Sequence, residues 1–144
     1  MAAPDAGGAK RSNSYSKKLD VGLAICHKQR KVANEVAEMT VIGDVEGKDV
    51  ILIDDMVDTA GTLTKAADLF LANGANSVRA ICTHAVLSGP AYERIENSGL
   101  SELVVTDSIP LKQHSDKITV LSVAGLYSSV ISSLVSNESI SRLF

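Results

Sequence analysis

The stretch Val50 to Thr64, VILIDDMVDTAGTLT, organises the reading of the whole chain. It opens on four apolar residues, Val50-Ile51-Leu52-Ile53, and continues into an acidic pair, Asp54-Asp55. Asp58-Thr59-Ala60-Gly61-Thr62 follows two residues later. From there the period changes: Leu63, Ala66, Ala67 and Phe70 recur at helical spacing. The pattern predicts a buried strand, a loop and a helix. A short β-branched run without polar alternation suits a strand covered on both faces, as in a parallel sheet. Ligands of such sheets sit beyond the carboxyl ends of the strands, where the acids and the loop fall.

Each part of that loop has a chemical use. Gly61 lacks a Cβ, so a ligand can approach its backbone. The amides of Thr59 to Thr62 open a helix whose dipole favours an anion. The Thr59 and Thr62 hydroxyls add donors, and ionised Asp54 and Asp55 are acceptors for vicinal hydroxyls or a hydrated Mg²⁺. A sugar phosphate fits both ends. The plainer alternative is a helix capped by Asp58 or Thr62.

Working outward, Pro4 to Gly8 reads as a turn before a helix from about Lys10 to Leu19. Val21 to Cys26 reads as a strand, and His27-Lys28-Gln29-Arg30-Lys31 as a basic loop after it. Met39 to Gly43 can pair back as a short antiparallel flag. Beyond the central unit the pattern predicts a helix ending before Gly74, a strand over Ser77–Thr83 with His84 after it, and a helix from Pro90 to about Asn97. Strands at Leu103–Thr106 and Ile118–Val123 and a helix from Val123 to Ser136 complete the chain. His114 falls in a polar loop and reads as exposed.

The chain has 144 residues, the size of one domain. It is 45% hydrophobic but only 3% aromatic, so its core must be aliphatic. A net charge of −3 argues against nucleic-acid binding by bulk electrostatics. No apolar run approaches a membrane span, and the start lacks the apolar core of a signal peptide, so a soluble cytoplasmic protein is expected. Cys26 and Cys82 lie in apolar runs and read as buried, reduced thiols.

VILIDDMVDTAGT resembles the phosphoribosyl pyrophosphate loop of the type I phosphoribosyltransferase fold. The flanking segments narrow the resemblance to the ribose-phosphate pyrophosphokinase (phosphoribosyl pyrophosphate synthetase) family. Pro4-Asp5-Ala6-Gly7-Gly8 is similar to its Pro-Asp-x-Gly-Gly turn, and Lys28-Gln29-Arg30 to its Lys-Arg-Arg loop. Asn34 to Glu38, Ile42 to Gly47, Thr83-His84, Leu87 to Ala91 and Glu138 to Ser141 follow in family order. Gln29 replaces the usual Arg, and His27 stands where an acid is usual.

The resemblance implies an α/β fold: a parallel sheet of about five strands flanked by helices, with the antiparallel flag. It covers nearly the whole chain but only the second of the family's two similar domains. Residues 1–144 are therefore expected to form one domain like the C-terminal half, with the N-terminal half absent. The implied activity moves the diphosphoryl group of ATP to the C1 hydroxyl of ribose 5-phosphate, and the chain alone is expected to have little of it. Asp54, Asp55, Asp58, Thr59, Ala60, Gly61 and Thr62 would bind ribose 5-phosphate. Lys28 and Arg30 would be catalytic, stabilising charge on the migrating group from a mobile loop. Asp5 would help hold Mg²⁺. Arg11, Ser139, Ser141 and Phe144 match a regulatory site for phosphate and ADP, with inorganic phosphate as activator. The family assembles as homo-oligomers, hexamers at full length. A phosphoribosyltransferase that consumes the diphosphate, and a non-catalytic regulatory subunit of the synthetase, are the alternatives. The Lys-x-Arg segment argues against the first, and the retained Lys28, Arg30 and acid pair against the second.

Overall fold

A computed structural model describes residues 1–29 and 38–143. In chain order the elements are β1 (Ala2–Ala3), α1 (Ala9–Leu19), β2 (Ala24–Gln29), β3 (Glu38–Ile42), β4 (Asp49–Val57) and α2 (Gly61–Ala72). Next come β5 (Ser77–Ala85), α3 (Ala91–Asn97), β6 (Glu102–Thr106), β7 (Ile118–Leu121) and α4 (Ala124–Val135). A short 3₁₀ turn over Ser141–Leu143 follows.

The strands form one seven-stranded sheet in the order β3-β2-β1-β4-β5-β6-β7. Among the described residues only β2 and β3 pair antiparallel, Ile25 facing Ile42 and Gln29 facing Glu38, which is the expected flag. The sheet is wider than the anticipated five strands plus flag because β1 joins it. At two residues, β1 is too short to show any periodicity, yet it is fully buried between β2 and β4.

The direction of winding reverses between β1 and β4. From β1 the chain crosses to β2 on one side; from β4 it steps through β5, β6 and β7 on the other. Right-handed crossovers therefore place α1 on one face and α2 and α3 on the opposite one. Leu63, Ala66, Ala67 and Phe70 of α2 pack with Ala91 and Ile95 of α3 over Val78, Ala80, Cys82, Leu103 and Val105 of the sheet. The core is aliphatic, with Phe70 its largest fully buried side chain. The alternate residues of β5, Arg79, Ile81 and Thr83, are exposed. On α4, Tyr127, Ile131, Leu134 and Val135 are exposed as well.

Three strands run further than the pattern suggested, among them β5, which continues past Thr83 through His84 to Ala85. β2 continues through His27, Lys28 and Gln29, so the start of the basic run is strand rather than loop: pairing with Met39 and Glu38 of the flag supplies its ladder. β4 includes the acidic pair, because β5 pairs with it as far as Val57 opposite Ala85. Cys26 and Cys82 are free and buried, as expected, and burial pushes both thiols up to about 11.

The flag hinges on Gly43. Its φ is 108°, and a Cβ there would lie 2.6 Å from the Leu23 carbonyl oxygen and 3.0 Å from the Ala24 Cα, both backbone atoms. Gly43→Ala is expected to destabilise the chain by about 2 kcal/mol, combining left-side backbone strain with a clash that no rotamer relieves. A urea titration checks this; an unchanged midpoint would mean that the hinge shifts at no cost.

Candidate functional site

The sheet reverses between two adjacent parallel strands, β1 and β4, and their carboxyl ends form a crevice. Asp5 leaves β1 into a turn where its Oδ1 accepts the Gly8 N–H at 3.0 Å. Asp54 stands near the end of β4. Asp5, Asp54, Met56, Val57 and residues 58–63 line one pocket of about 210 Å³.

The floor of that pocket is the start of α2. Its first backbone bond runs from the Thr64 N–H to the Ala60 carbonyl at 3.0 Å, so the amides of Gly61, Thr62 and Leu63 precede the helical ladder. No side-chain hydrogen bond caps the helix. This removes the capping alternative for Asp58 and Thr62. Asp58 instead accepts a short hydrogen bond from the Ser88 hydroxyl. Ala60 sits in the left-handed region, φ 58°, and is buried. A residue there turns successive amides toward one side, a geometry suited to anions.

Gly61 has a second neighbour besides any ligand. A Cβ there would meet Arg94 Nη1 at 3.1 Å. The glycine thus makes room for an arginine of α3 as well as for any ligand at its backbone.

Asp54 and Asp55 differ electrostatically. Arg11 of α1 bridges them, with Nη1 donating to Asp54 Oδ1 at 3.1 Å and Nη2 to Asp55 Oδ2 at 2.6 Å. Asp54 is half-buried, and desolvation raises its carboxyl above the usual range; the Asp55 N–H and Arg11 oppose the rise, and the Asp55 carboxylate adds to it. Asp55 is exposed, and its carboxyl is lowered, first by its hydrogen bond with Asp54 and then by Arg11.

The signs set a pH dependence. A carboxyl raised in the fold binds its proton more tightly than in the unfolded chain. Asp54 therefore costs stability as pH climbs from the ordinary value of 3.8 through its raised one, and that cost persists at neutral pH. Asp55 acts in the opposite sense: its contribution is present above the ordinary value and is lost as pH falls through its lowered one. Asp54→Asn should raise the melting temperature at pH 7 and narrow its advantage toward pH 4. Its amide oxygen can still accept from Arg11 and from the Asp55 N–H that Asp54 now holds at 2.9 Å. Melting curves of both proteins from pH 4 to 8 decide; a variant less stable than the parent at pH 7 would show that Arg11 outweighs desolvation.

The structure brings Asp5, Asp54, Asp58, Thr59, Ala60, Gly61 and Thr62 together, with Asp55 beside them. Lys28 holds a backbone position in β2 opposite Met39. Arg30 and Phe144 lie outside the described residues. Arg11 is found on the acid pair. Ser139 and Ser141 lie in the C-terminal turn, where Ser139 Oγ accepts the Ser141 N–H at 3.2 Å and Arg142 pairs with Glu138 at 2.7 Å. His84 is in β5, its Nδ1 3.0 Å from Ser108 Oγ. Ser88 and Arg94 were not singled out from sequence. Ser88 belongs to the family-like Leu87 to Ala91 segment; Arg94 carries no motif signal.

No group of three or more potential metal-ligating side chains is found among the described residues. Mg²⁺ keeps several waters and needs only one or two carboxylates beside substrate phosphates. Asp5 and Asp54, oxygen donors on one pocket, fit that requirement.

An open α/β sheet with an uncapped helix start beside its switch point defines the class, one in which ligands generally sit across the strand ends. A sequence profile described as "Phosphoribosyl synthetase-associated domain" matches residues 30–144. The chain belongs to that family. It is 56% identical over its full 144 residues to a ribose-phosphate pyrophosphokinase of Porphyromonas gingivalis, covering 46% of that protein. It is 55% identical to one of Helicobacter hepaticus, covering 47%. Among solved structures, phosphoribosylpyrophosphate synthetase from Mycobacterium smegmatis matches with a TM-score of 0.87 and 37% identity, over 94% of this chain and 44% of that one. The chain thus spans about half the length of the curated relatives it matches. Among the described residues no helix is long and apolar enough to cross a membrane.

Proposed function

We propose that the pocket at the end of β4 binds ribose 5-phosphate, and that the chain is the C-terminal half of a cytoplasmic enzyme making phosphoribosyl pyrophosphate from it and ATP. The observation that carries this reading is the uncapped start of α2, lying in one pocket with Asp5 and Asp54. The 5-phosphate would take the amides of residues 59–62 and the Thr59 and Thr62 hydroxyls. Asp54 and Asp55 would accept hydrogen bonds from the ribose 2- and 3-hydroxyls. That places C1 toward the mouth of the crevice.

In the reaction the C1 oxygen bonds to the β-phosphorus of ATP, the bond from that phosphorus to the α–β bridging oxygen breaks, and AMP leaves. The hydroxyl proton passes to solvent. Bound Mg²⁺ would neutralise phosphate charge, held through waters by Asp5 with Asp54. Lys28 and Arg30 would stabilise the migrating group, Lys as a point charge and Arg as a two-pronged donor. Such chemistry is positioning plus electrostatics, so no protein nucleophile is required. Arg11, Ser139, Ser141 and Phe144 would contribute to regulation by inorganic phosphate and ADP in a homo-oligomer. The names of the relatives favour diphosphoryl transfer over base-dependent release of the diphosphate.

Titration calorimetry of the chain with ribose 5-phosphate, ribose and inorganic phosphate tests the site. Ribose 5-phosphate should bind, inorganic phosphate more weakly, and ribose weakest. Asp58→Ala, which removes a loop carboxylate as well as the acceptor of Ser88, and Gly61→Val, which displaces Arg94 and crowds the amides, should both abolish binding. Unchanged affinity in both variants would remove the proposal.

A further inference from the structure

The loop is gripped from behind by one short segment, Leu87 to Arg94. Leu87 N–H donates to the Val57 carbonyl at 3.2 Å, and Ser88 N–H to the Asp58 carbonyl at 3.0 Å. Arg94 Nη1 donates to the Thr59 carbonyl at 2.9 Å. Three consecutive carbonyls, those of residues 57–59, are therefore engaged by one neighbour. The Ser88 hydroxyl also holds the Asp58 carboxylate.

The consequence is electrostatic. A peptide whose carbonyl is fixed on one side presents its N–H on the other. Carbonyl oxygens facing the pocket would repel an anion; amides attract it. Two non-glycine residues sit at positive φ in this small region, Ala60 at 58° and Leu87 at 45°. Such conformations each cost on the order of 1–3 kcal/mol and persist only where surrounding bonds impose them. The bonds from residues 87–94 flank both positions. The Arg94 guanidinium also rests against Gly61, adding positive charge beneath the amides. No single feature here would suffice; the continuous row of engaged carbonyls is what converts a loop into an anion cradle.

We propose that Ser88 and Arg94 are positioning residues for phosphate recognition: Ser88 fixes Asp58, and Arg94 fixes the Thr59 carbonyl and so aims the Ala60 N–H of the same peptide at the phosphate. This rests on the reading of the loop as a sugar-phosphate site.

The test uses the chain as it is, with ribose 5-phosphate and inorganic phosphate as probes, calorimetry for affinity and amide NMR for the loop. Arg94→Gln and Ser88→Ala should each weaken ribose 5-phosphate binding about tenfold, the size expected for loss of one charge-linked hydrogen bond. Arg94→Lys and Ser88→Thr, which keep a donor, should recover most of it. In the Gln and Ala variants the phosphate-induced shifts of the Thr59 and Ala60 amides should shrink, while melting temperatures stay within about 2–4 °C of the parent, as for surface changes. Variants that bind as tightly as the parent, or that lose affinity only in proportion to lost fold, overturn the proposal. A parent chain that binds neither probe refutes the sugar-phosphate reading itself, which the parent titration separates from the result on the variants.

Discussion

Supplied with ATP, ribose 5-phosphate, Mg²⁺ and inorganic phosphate, the 144-residue chain by itself should form AMP far more slowly than one turnover per second, even while binding ribose 5-phosphate as proposed. The reason is geometric. Reaction requires the β-phosphorus of ATP to be held about 3–3.5 Å from the C1 oxygen and in line with it. On the proposed reading, the crevice at the end of β4 would offer groups for the sugar phosphate, and Asp5 one for a metal. The site residues identified include no adenine pocket, and the relatives carry about as much chain again as the part matched here. Losing the orientation of one reactant forfeits about 7–11 kcal/mol of barrier lowering. Lys28 and Arg30 cannot recover that, because charge stabilisation acts only on a group already in place. An AMP-formation assay checks the point. Turnover of about 1 s⁻¹ or more, ordinary for an enzyme, would show that these residues hold a whole active site.

The second large effect concerns Lys28. In a polypeptide that also carries the remaining half of the relatives' length, Lys28→Ala should lower kcat by about 10²–10³, the usual cost of removing one preorganised donor to developing charge. Ribose 5-phosphate affinity should change little, since the ground-state contacts lie at the end of β4. A fall in kcat with KM kept is the signature of an interaction made in the transition state. Lys28 occupies the flag at the register of Met39, so its backbone starts from a paired strand. Near-normal kcat in the variant would return Lys28 to an ordinary solvated surface charge.

Much of this was legible in the residues. The apolar run Val50 to Ile53 announced a buried strand, and β4 with α2 followed it. The period-3.6 residues Leu63, Ala66, Ala67 and Phe70 are the buried face of α2. What the pattern could not show was pairing. β1 is invisible because two alanines carry no period. The acid pair reads as loop because charges end an apolar run, yet the β5 partner extends the ladder past them. The same held for His27 to Gln29, where the flag supplied the partner.

The site divided in the same way. Residues contiguous in sequence, Asp54 to Thr62, were found together. Of the distant contributions, Asp5 was named through the resemblance, but the partners of Arg11 and Arg94 were not: Arg11 lies 43 positions from Asp54, and Arg94 lies 35 from Thr59. A lone arginine on a helix has no spacing to betray its partner. Gly61 illustrates the limit well. Its missing side chain was read as room for a ligand, whereas the fold also uses that space for a guanidinium.

The two cysteines have a practical bearing on future measurements. With both thiols buried and pushed up to about 11, only on the order of one molecule in 10⁴ presents a thiolate at pH 7. Alkylating dyes and spin labels react through that form. A cysteine introduced at an exposed position such as Thr62 or Ser139 would therefore take a label almost alone, with the native pair left in place. Distances between the crevice and the C-terminal turn could then be followed spectroscopically without first rebuilding the core around Cys26 and Cys82.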